Sequence, residues 1–457
     1  MKPIKTVCII GITLISTLGF SQQRDYSFTL DQAVDFALDS SYVAINSRRE
    51  IAKSIKQKWE TTSAGLPQIN GLVDYQNMIK QPVTLIPGEI AGGEPGTFVP
   101  VTFGTKQQMS LTATLTQLIF DGSYLVGLKA SKVFVAYNEN ANEKNLLQVR
   151  EGVISAYGGV LVAQEGIRIL QSNLETITSN LNETKAMYEN GFVEAEDVEQ
   201  LQITTAQITN DLRNAKRLEG ISKQMFNLSL GIPVDSKVIL EDDLKSLAEQ
   251  SIGMLLHEQQ FNLENNVDYR IAKNLTTQRE LEVQLEKSKA LPRISGFVNY
   301  GTSAFDNDFV FFDSETSWYQ SSIFGVSMEV PIFSSLQRSA KTQQAKIALD
   351  QAKTDFTHTT QQIRLELDRA QSNFKYAIES YHTSEENLKL AEGIEKKNRI
   401  KYTEGISSSF ELRQAQIQLY TAQQEYINSM KNVIDTKVAL ETVINAPDLL
   451  NNSTDQN

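Results

Sequence analysis

From Leu146 onward, apolar and small side chains recur at Val149, Val153, Ala156, Val160, Ala163, Ile167, Leu170, Leu174, Ile177 and Leu181. Steps of three and four without a slip make a heptad seam, which predicts a coiled helix. No proline occurs between Gly122 and Tyr188, so the helix is predicted to run that whole distance. At about 1.5 Å per residue it makes a rod on the order of 100 Å. The register recurs at Ile363, Leu367, Ala370, Phe374, Ala377, Tyr381, Ser384, Leu388 and Ala391. A second helix follows each rod, with Val198, Leu201, Thr205, Ile208 and Leu212 matched by Leu412, Ala415, Leu419, Ala422 and Tyr426.

Before each rod the period changes to two. Met109, Leu111, Ala113 and Leu115 alternate with Ser110, Thr112, Thr114 and Thr116. Ile69, Gly71, Val73 and Tyr75 form the apolar face of a partner strand. Phe324, Val326, Met328 and Val330 oppose Gly325, Ser327 and Glu329 in the same way. Alternation of this kind predicts strands, and strands of about 9–11 residues suit a tilted bilayer crossing. Lys80 to Lys106 holds four prolines and five glycines and predicts an irregular surface loop. Asp306 to Tyr319 is acidic and aromatic, which suits the rim of a barrel.

The two sets are copies. Leu66-Pro67-Gln68-Ile69-Asn70-Gly71 recurs 225 positions on as Leu291-Pro292-Arg293-Ile294-Ser295-Gly296. Tyr188-Glu189-Asn190-Gly191 recurs 214 positions on as Tyr402-Thr403-Glu404-Gly405, and Leu230-Gly231-Ile232-Pro233 aligns at that offset with Ile444-Asn445-Ala446-Pro447. The smaller offset places a longer inter-strand loop in the first copy. The organisation is therefore a leader, 1–22, then a strand–strand–long-helix repeat over 23–240 and another over 241–457.

Lys2 and Lys5 before the apolar run Val7–Leu18, with Gly19-Phe20-Ser21-Gln22 after it, describe a cleavable signal peptide. The only cysteine, Cys8, lies inside this leader and too early for a lipidated terminus, so the mature chain is expected to lack disulfides and an acyl anchor. The net charge is −12, and loss of Lys2 and Lys5 takes it to −14, which argues against nucleic acid as a partner. No later stretch approaches about 18 consecutive apolar residues, which excludes a membrane-spanning helix on that criterion. Membrane crossing is then left to strands in a closed barrel.

Four strands cannot close such a barrel, which begins at about eight. A cyclic trimer supplies about twelve. On the duplicated order, the two Leu-Pro strand starts, the paired Tyr-x-x-Gly tips and the Leu-Gly-Ile-Pro segment, the chain resembles the TolC-like outer-membrane efflux proteins (outer-membrane factors) over essentially its mature length. The resemblance implies a mainly α fold with a membrane β-barrel part: a homotrimer whose twelve-stranded barrel is continued by an α-helical tunnel. It implies residence in outer-membrane lipid with a periplasmic extension. Docking onto a periplasmic adaptor protein, and through it an inner-membrane transporter, is implied too. Small molecules such as drugs or toxicants then pass through a duct that does no chemistry on them.

The resemblance also assigns a gate at the periplasmic tip. The gate tyrosine falls on Tyr402, and an acidic partner in the first copy on Asp197. Ser407 stands where drug-efflux relatives often carry arginine, so the arginine-centred lock is absent or rebuilt. Of two acidic-ring positions, one is Glu411 and the other is the neutral Gln414. Three-fold symmetry turns a single lumen-facing Glu411 into a ring of three carboxylates, which selects cations. Asp197 and Glu411 equally suit the first turn of a helix, where a carboxylate complements the dipole by ~0.3–1 kcal/mol. Gly191 and Gly405 are expected to permit tight turns that the adaptor grips, with Phe192 and Ile406 beside them.

No catalytic constellation is evident. His257, His358 and His382 lack clustered ligand partners, no phosphate loop or nucleophile elbow occurs, and no cofactor or metal is expected. A secreted structural protein of helical-hairpin repeats explains the heptads but not the two-faced strands.

Overall fold

The computed structural model describes residues 26–253 and 261–445. The expected leader over 1–22, with Cys8, lies outside the described residues, as do His257, Ala446 and Pro447.

The first copy begins with strand β1 (Tyr26–Phe28) and helices α1 (Leu30–Ser40) and α2 (Tyr42–Ser63). Strands β2 (Gln68–Asn77), β3 (Val83–Pro87), β4 (Phe98–Thr102) and β5 (Gln107–Asp121) lead into α3 (Gly122–Glu189) and α4 (Ala195–Leu230). Strand β6 (Val238–Leu240) ends the first repeat, and the second runs α5 (Leu244–Gly253), α6 (Val267–Ser288), β7 (Arg293–Asp306), β8 (Tyr319–Glu329), α7 (Gln337–Thr403) and α8 (Ser409–Ile444). The predicted rods are real and nearly equal, 68 residues in α3 and 67 in α7, and both return helices have 36. The α2 and α6 helices, 22 residues each, also correspond at the 225 offset of the Leu-Pro motif.

Two compact units draw on both sequence halves. One holds the described residues of 46–145 and 262–366. Its sheet has the order β2-β5-β7-β8, antiparallel throughout, so the two hairpins join through their inner strands. The register lines Ile69, Leu115, Val298 and Phe324 up in one row, and Tyr75, Met109 and Ala304 in another on the same face. Asn70, Thr114 and Asn299 make a row on the opposite face. The expected two-faced alternation thus continues across the sheet, with Leu72, Phe297 and Ile323 as apolar members of the otherwise polar face. Its apolar face is open: Ile69, Val73, Phe324 and Met328 are each more than half exposed. Within this unit the predicted irregular loop is corrected. Val83–Pro87 and Phe98–Thr102 pair as an antiparallel ribbon, because both are rich in β-branched residues and their prolines sit in an isolated two-stranded ladder that leaves edges free.

The other unit holds the described residues of 26–45, 146–261 and 367–445. The short strands β1 and β6 pair in parallel, Tyr26 beside Val238. Around them α1 packs Ala33 and Ala37, fully buried, into a core with Phe28, Tyr157, Phe226, Leu230 and Val433. Tyr157 anchors it, its hydroxyl 2.9 Å from Asp242 Oδ2 and 3.1 Å from the Phe28 carbonyl, and burial raises its pKa above the ordinary value. The Leu230-Gly231-Ile232-Pro233 motif acquires a reason here. Gly231 ends α4 at φ +79°, and a Cβ on it would lie 2.4 Å from the Ser40 carbonyl oxygen. Only glycine meets both demands. Its counterpart Asn445 also takes a left-handed conformation, at φ 46°.

The expected seams are filled, with Val153, Val160, Ile177, Ala377, Tyr381 and Ala391 almost fully buried. One expectation needs revision. α3 contains an 18-residue window of mean hydropathy 1.2, long and apolar enough to cross a membrane by composition alone. Counting unbroken apolar runs missed it, because polar residues interrupt the run while its average stays apolar. Val153, Ile154, Tyr157, Val160 and Leu161 of this helix belong instead to the protein core.

Candidate gating site at the helix tips

Each hairpin tip is built the same way. Tyr188 and Tyr402 close the last turns of α3 and α7, accepting from the N–H groups of Gly191 (2.9 Å) and Gly405 (3.0 Å). The next residues reach further back, Phe192 N–H to the Met187 carbonyl and Ile406 N–H to that of Lys401. Both glycines are left-handed, at φ +79° and +72°. This pattern of two backward bonds around a left-handed glycine caps a helix C-terminus. It leaves Phe192 and Ile406 exposed at 77% and 76%.

The return helices start with acidic caps. Asp197 accepts the Glu194 N–H at 3.3 Å, and Glu411 accepts the Ser408 N–H at 3.3 Å while its own N–H donates to Ser408 Oγ. Asp197 and Glu411 are 214 positions apart, so they are one position in two copies, the third residue of a capped helix. Ser407 Oγ donates to the Glu411 carboxylate as well. These bonds, the Ser407 hydroxyl first, hold the exposed Glu411 carboxyl below the usual carboxylate range. Gln414 is exposed on the next turn.

The tyrosines differ between copies. Tyr402 is buried, its hydroxyl 3.0 Å from Oγ1 of the fully buried Thr184. Tyr188 is half exposed. Burial raises the Tyr402 pKa, the Thr184 bond opposes this, and the charge of Asp197 adds to it. The structure therefore gathers Tyr402, Thr184 and Asp197 in one place and joins Ser407 to Glu411.

Sequence reasoning missed a polar layer in this part of the core. Among the described residues, Gln416, 2% exposed, has neither amide atom partnered, and Glu395 Oε1 and Asn180 Nδ2 are likewise buried without a partner. Nearby Ile177, Leu181, Val198, Leu201 and Ile208 pack with Tyr420, whose pKa is pushed up to about 12 by burial and by the charge of Glu395. A signal existed. Continuing the α3 seam past Leu181 reaches Thr184, and continuing the α7 seam past Ala391 reaches Glu395 and Tyr402.

The model of the family described as outer membrane efflux protein matches residues 260–446. Over those residues the chain is similar to outer membrane efflux proteins. No curated protein sequence matches it significantly. Among solved structures, the outer membrane protein VceC of Vibrio cholerae aligns with a TM-score of 0.70 at 14% identity, covering 91% of this chain and 96% of its own. The Campylobacter jejuni CmeC outer membrane channel aligns at 0.69 with 16% identity, over 91% and 85%. The open-state MtrE outer membrane channel of Neisseria gonorrhoeae aligns at 0.66 with 14% identity, over 91% and 89%. Such low identity carries the TolC-like fold alone, and the tip chemistry of this chain is read from its own residues.

Proposed function

We propose that three copies of this chain form a passive outer-membrane channel, an exit duct for small molecules within a tripartite efflux or type I secretion assembly. One observation carries the reading: a four-stranded sheet with one exposed apolar face, one polar face, and an outer edge on β2 and on β8 without a partner among the described residues. In lipid each unpaired edge group costs several kcal/mol. Strand pairing between copies removes those edges, sets the apolar rows toward lipid and turns the Asn, Ser and Thr rows inward. The two repeats, 23–240 and 241–457, then give a trimer six near-equivalent units.

The tips form the gate in this proposal. Tyr402 and Asp197, with Thr184, hold one hairpin against the other, while Ser407 and Glu411 replace the missing arginine lock with a capped helix start. Gly191, Phe192, Gly405 and Ile406 present the surface for the adaptor, which recruits the inner-membrane transporter. The duct changes no bond in its cargo and needs no cofactor. Export by a cleaved leader and no acyl anchor complete the reading. The test is reconstitution into planar bilayers, where purified trimer gives discrete conductance steps. Protein extracted from membranes by high salt alone, without detergent, would overturn it.

A further inference from the structure

Residues 307–318 connect β7 to β8 and fold back over the end of the sheet. Phe311, 3% exposed, packs on Met109 and Ala304, with Trp318 against the same cluster. Phe309 meets the Tyr75 ring edge-on at 5.4 Å, and its centroid lies 5.5 Å from Phe311 and 5.9 Å from Phe312. The register decides which side this is. Tyr75, Met109 and Ala304 share the face of Ile69, Leu115, Val298 and Phe324, the open apolar face.

The loop is constructed rather than draped. The Asp306 carboxylate accepts from the N–H groups of Asn307 and Asp308, the Thr316 hydroxyl donates to the Val310 carbonyl, and Asn307 Oδ1 accepts from Lys106 N–H at 3.2 Å. Yet this ordered loop leaves Phe312 82% and Phe309 54% exposed beside the exposed carboxylates of Asp308, Asp313 and Glu315. Aromatic rings next to a row of charges match one environment, the boundary between hydrocarbon and polar headgroups.

We infer that the loop 307–318 is an interfacial membrane anchor, seating Phe309 and Phe312 among outer-leaflet lipids while Asp308, Asp313 and Glu315 stay in the headgroup water. The inference rests on the barrel reading. It fixes the depth of the sheet in the bilayer, with the Tyr75–Met109–Ala304 row at the outer boundary and the Ile69–Leu115–Val298–Phe324 row within hydrocarbon.

The chain has two tryptophans, Trp59 and Trp318, so Trp59→Phe leaves Trp318 as a single reporter on the loop. The trimer is reconstituted in phosphatidylcholine brominated either near the headgroup or deep in the chains. An interfacial anchor predicts that headgroup-proximal bromine lowers Trp318 fluorescence by about half, that deep bromine acts less, and that Phe309→Ser with Phe312→Ser abolishes the effect. Strong quenching by aqueous iodide with none by either lipid would overturn the anchor. A third protein, Trp59→Phe, Trp318→Phe and Phe324→Trp, reports on the sheet itself. Deep-bromine quenching there without any at Trp318 defeats the loop alone, whereas no quenching at either place defeats the barrel and the anchor with it.

Discussion

Tyr402 and Thr184 share a buried hydroxyl–hydroxyl hydrogen bond of 3.0 Å, whereas Tyr188, at the Tyr402 position of the other copy, is half exposed. The two copies thus have the same backbone turn but only one interhelical latch. Tyr402→Phe leaves the Thr184 hydroxyl buried and unpaired, a cost of about 1–3 kcal/mol. Single-channel recording should show a mostly closed wild-type pore and more frequent opening for Tyr402→Phe, with little change for Tyr188→Phe. Equal behaviour of both variants would remove the latch.

Gln416 points the other way. Its two buried amide atoms have no partner among the described residues, so an apolar replacement of similar size, Gln416→Leu, should stabilise the tip by about 1–3 kcal/mol. Hydrogen exchange of α8 amides near Leu412 and Ala415 should slow, and channel opening should become rarer. Faster exchange in the variant would mean that Gln416 already has a partner, such as bound water.

The acid response of the tip follows from Glu411. Its carboxyl pKa is lowered, by the Ser407 hydroxyl first and then by the Ser408 N–H and the charge of Lys401. A group depressed in the folded state contributes stability above its unfolded pKa, about 4.3, and loses it as pH falls through the folded value. The start of α8 should therefore fray only under acid conditions. Ser407→Ala should move the Glu411 titration upward, toward the ordinary range, in carbon-detected NMR; an unmoved titration would sever the Ser407 link.

Selectivity tests a separate property of that carboxylate. Although it caps α8, Glu411 remains exposed, so the proposed trimer would repeat it as a ring. The open pore should prefer cations, and Glu411→Gln should reduce that preference. An anion-preferring wild type, or unchanged reversal potentials in the variant, contradicts the ring.

Much of the fold was legible because it is periodic. Seams such as Val153–Val160–Ile177 and alternations such as Leu111–Leu115 repeat often enough to define an element and its buried face. The β1 and β6 strands, three residues each, are too short to show a period, and their pairing depends on contacts across more than 200 positions of sequence. The β3–β4 ribbon was hidden because prolines that interrupt a central strand are tolerated in an isolated ribbon. At the tips, the family resemblance led to Tyr402, Asp197 and Glu411. The same heptad logic passed over Thr184, Glu395 and Gln416, because polar residues inside a seam read as its end.

The central claim is that the two faces of the sheet meet lipid and water. The mature chain is expected to lack cysteine, so single cysteines can be placed at Val73 and Phe324 on the apolar face and at Thr112 and Thr114 on the polar face. In intact outer membranes, a membrane-impermeant thiol reagent should label Thr112→Cys and Thr114→Cys and spare Val73→Cys and Phe324→Cys. Equal labelling of both faces would contradict a barrel built from this sheet.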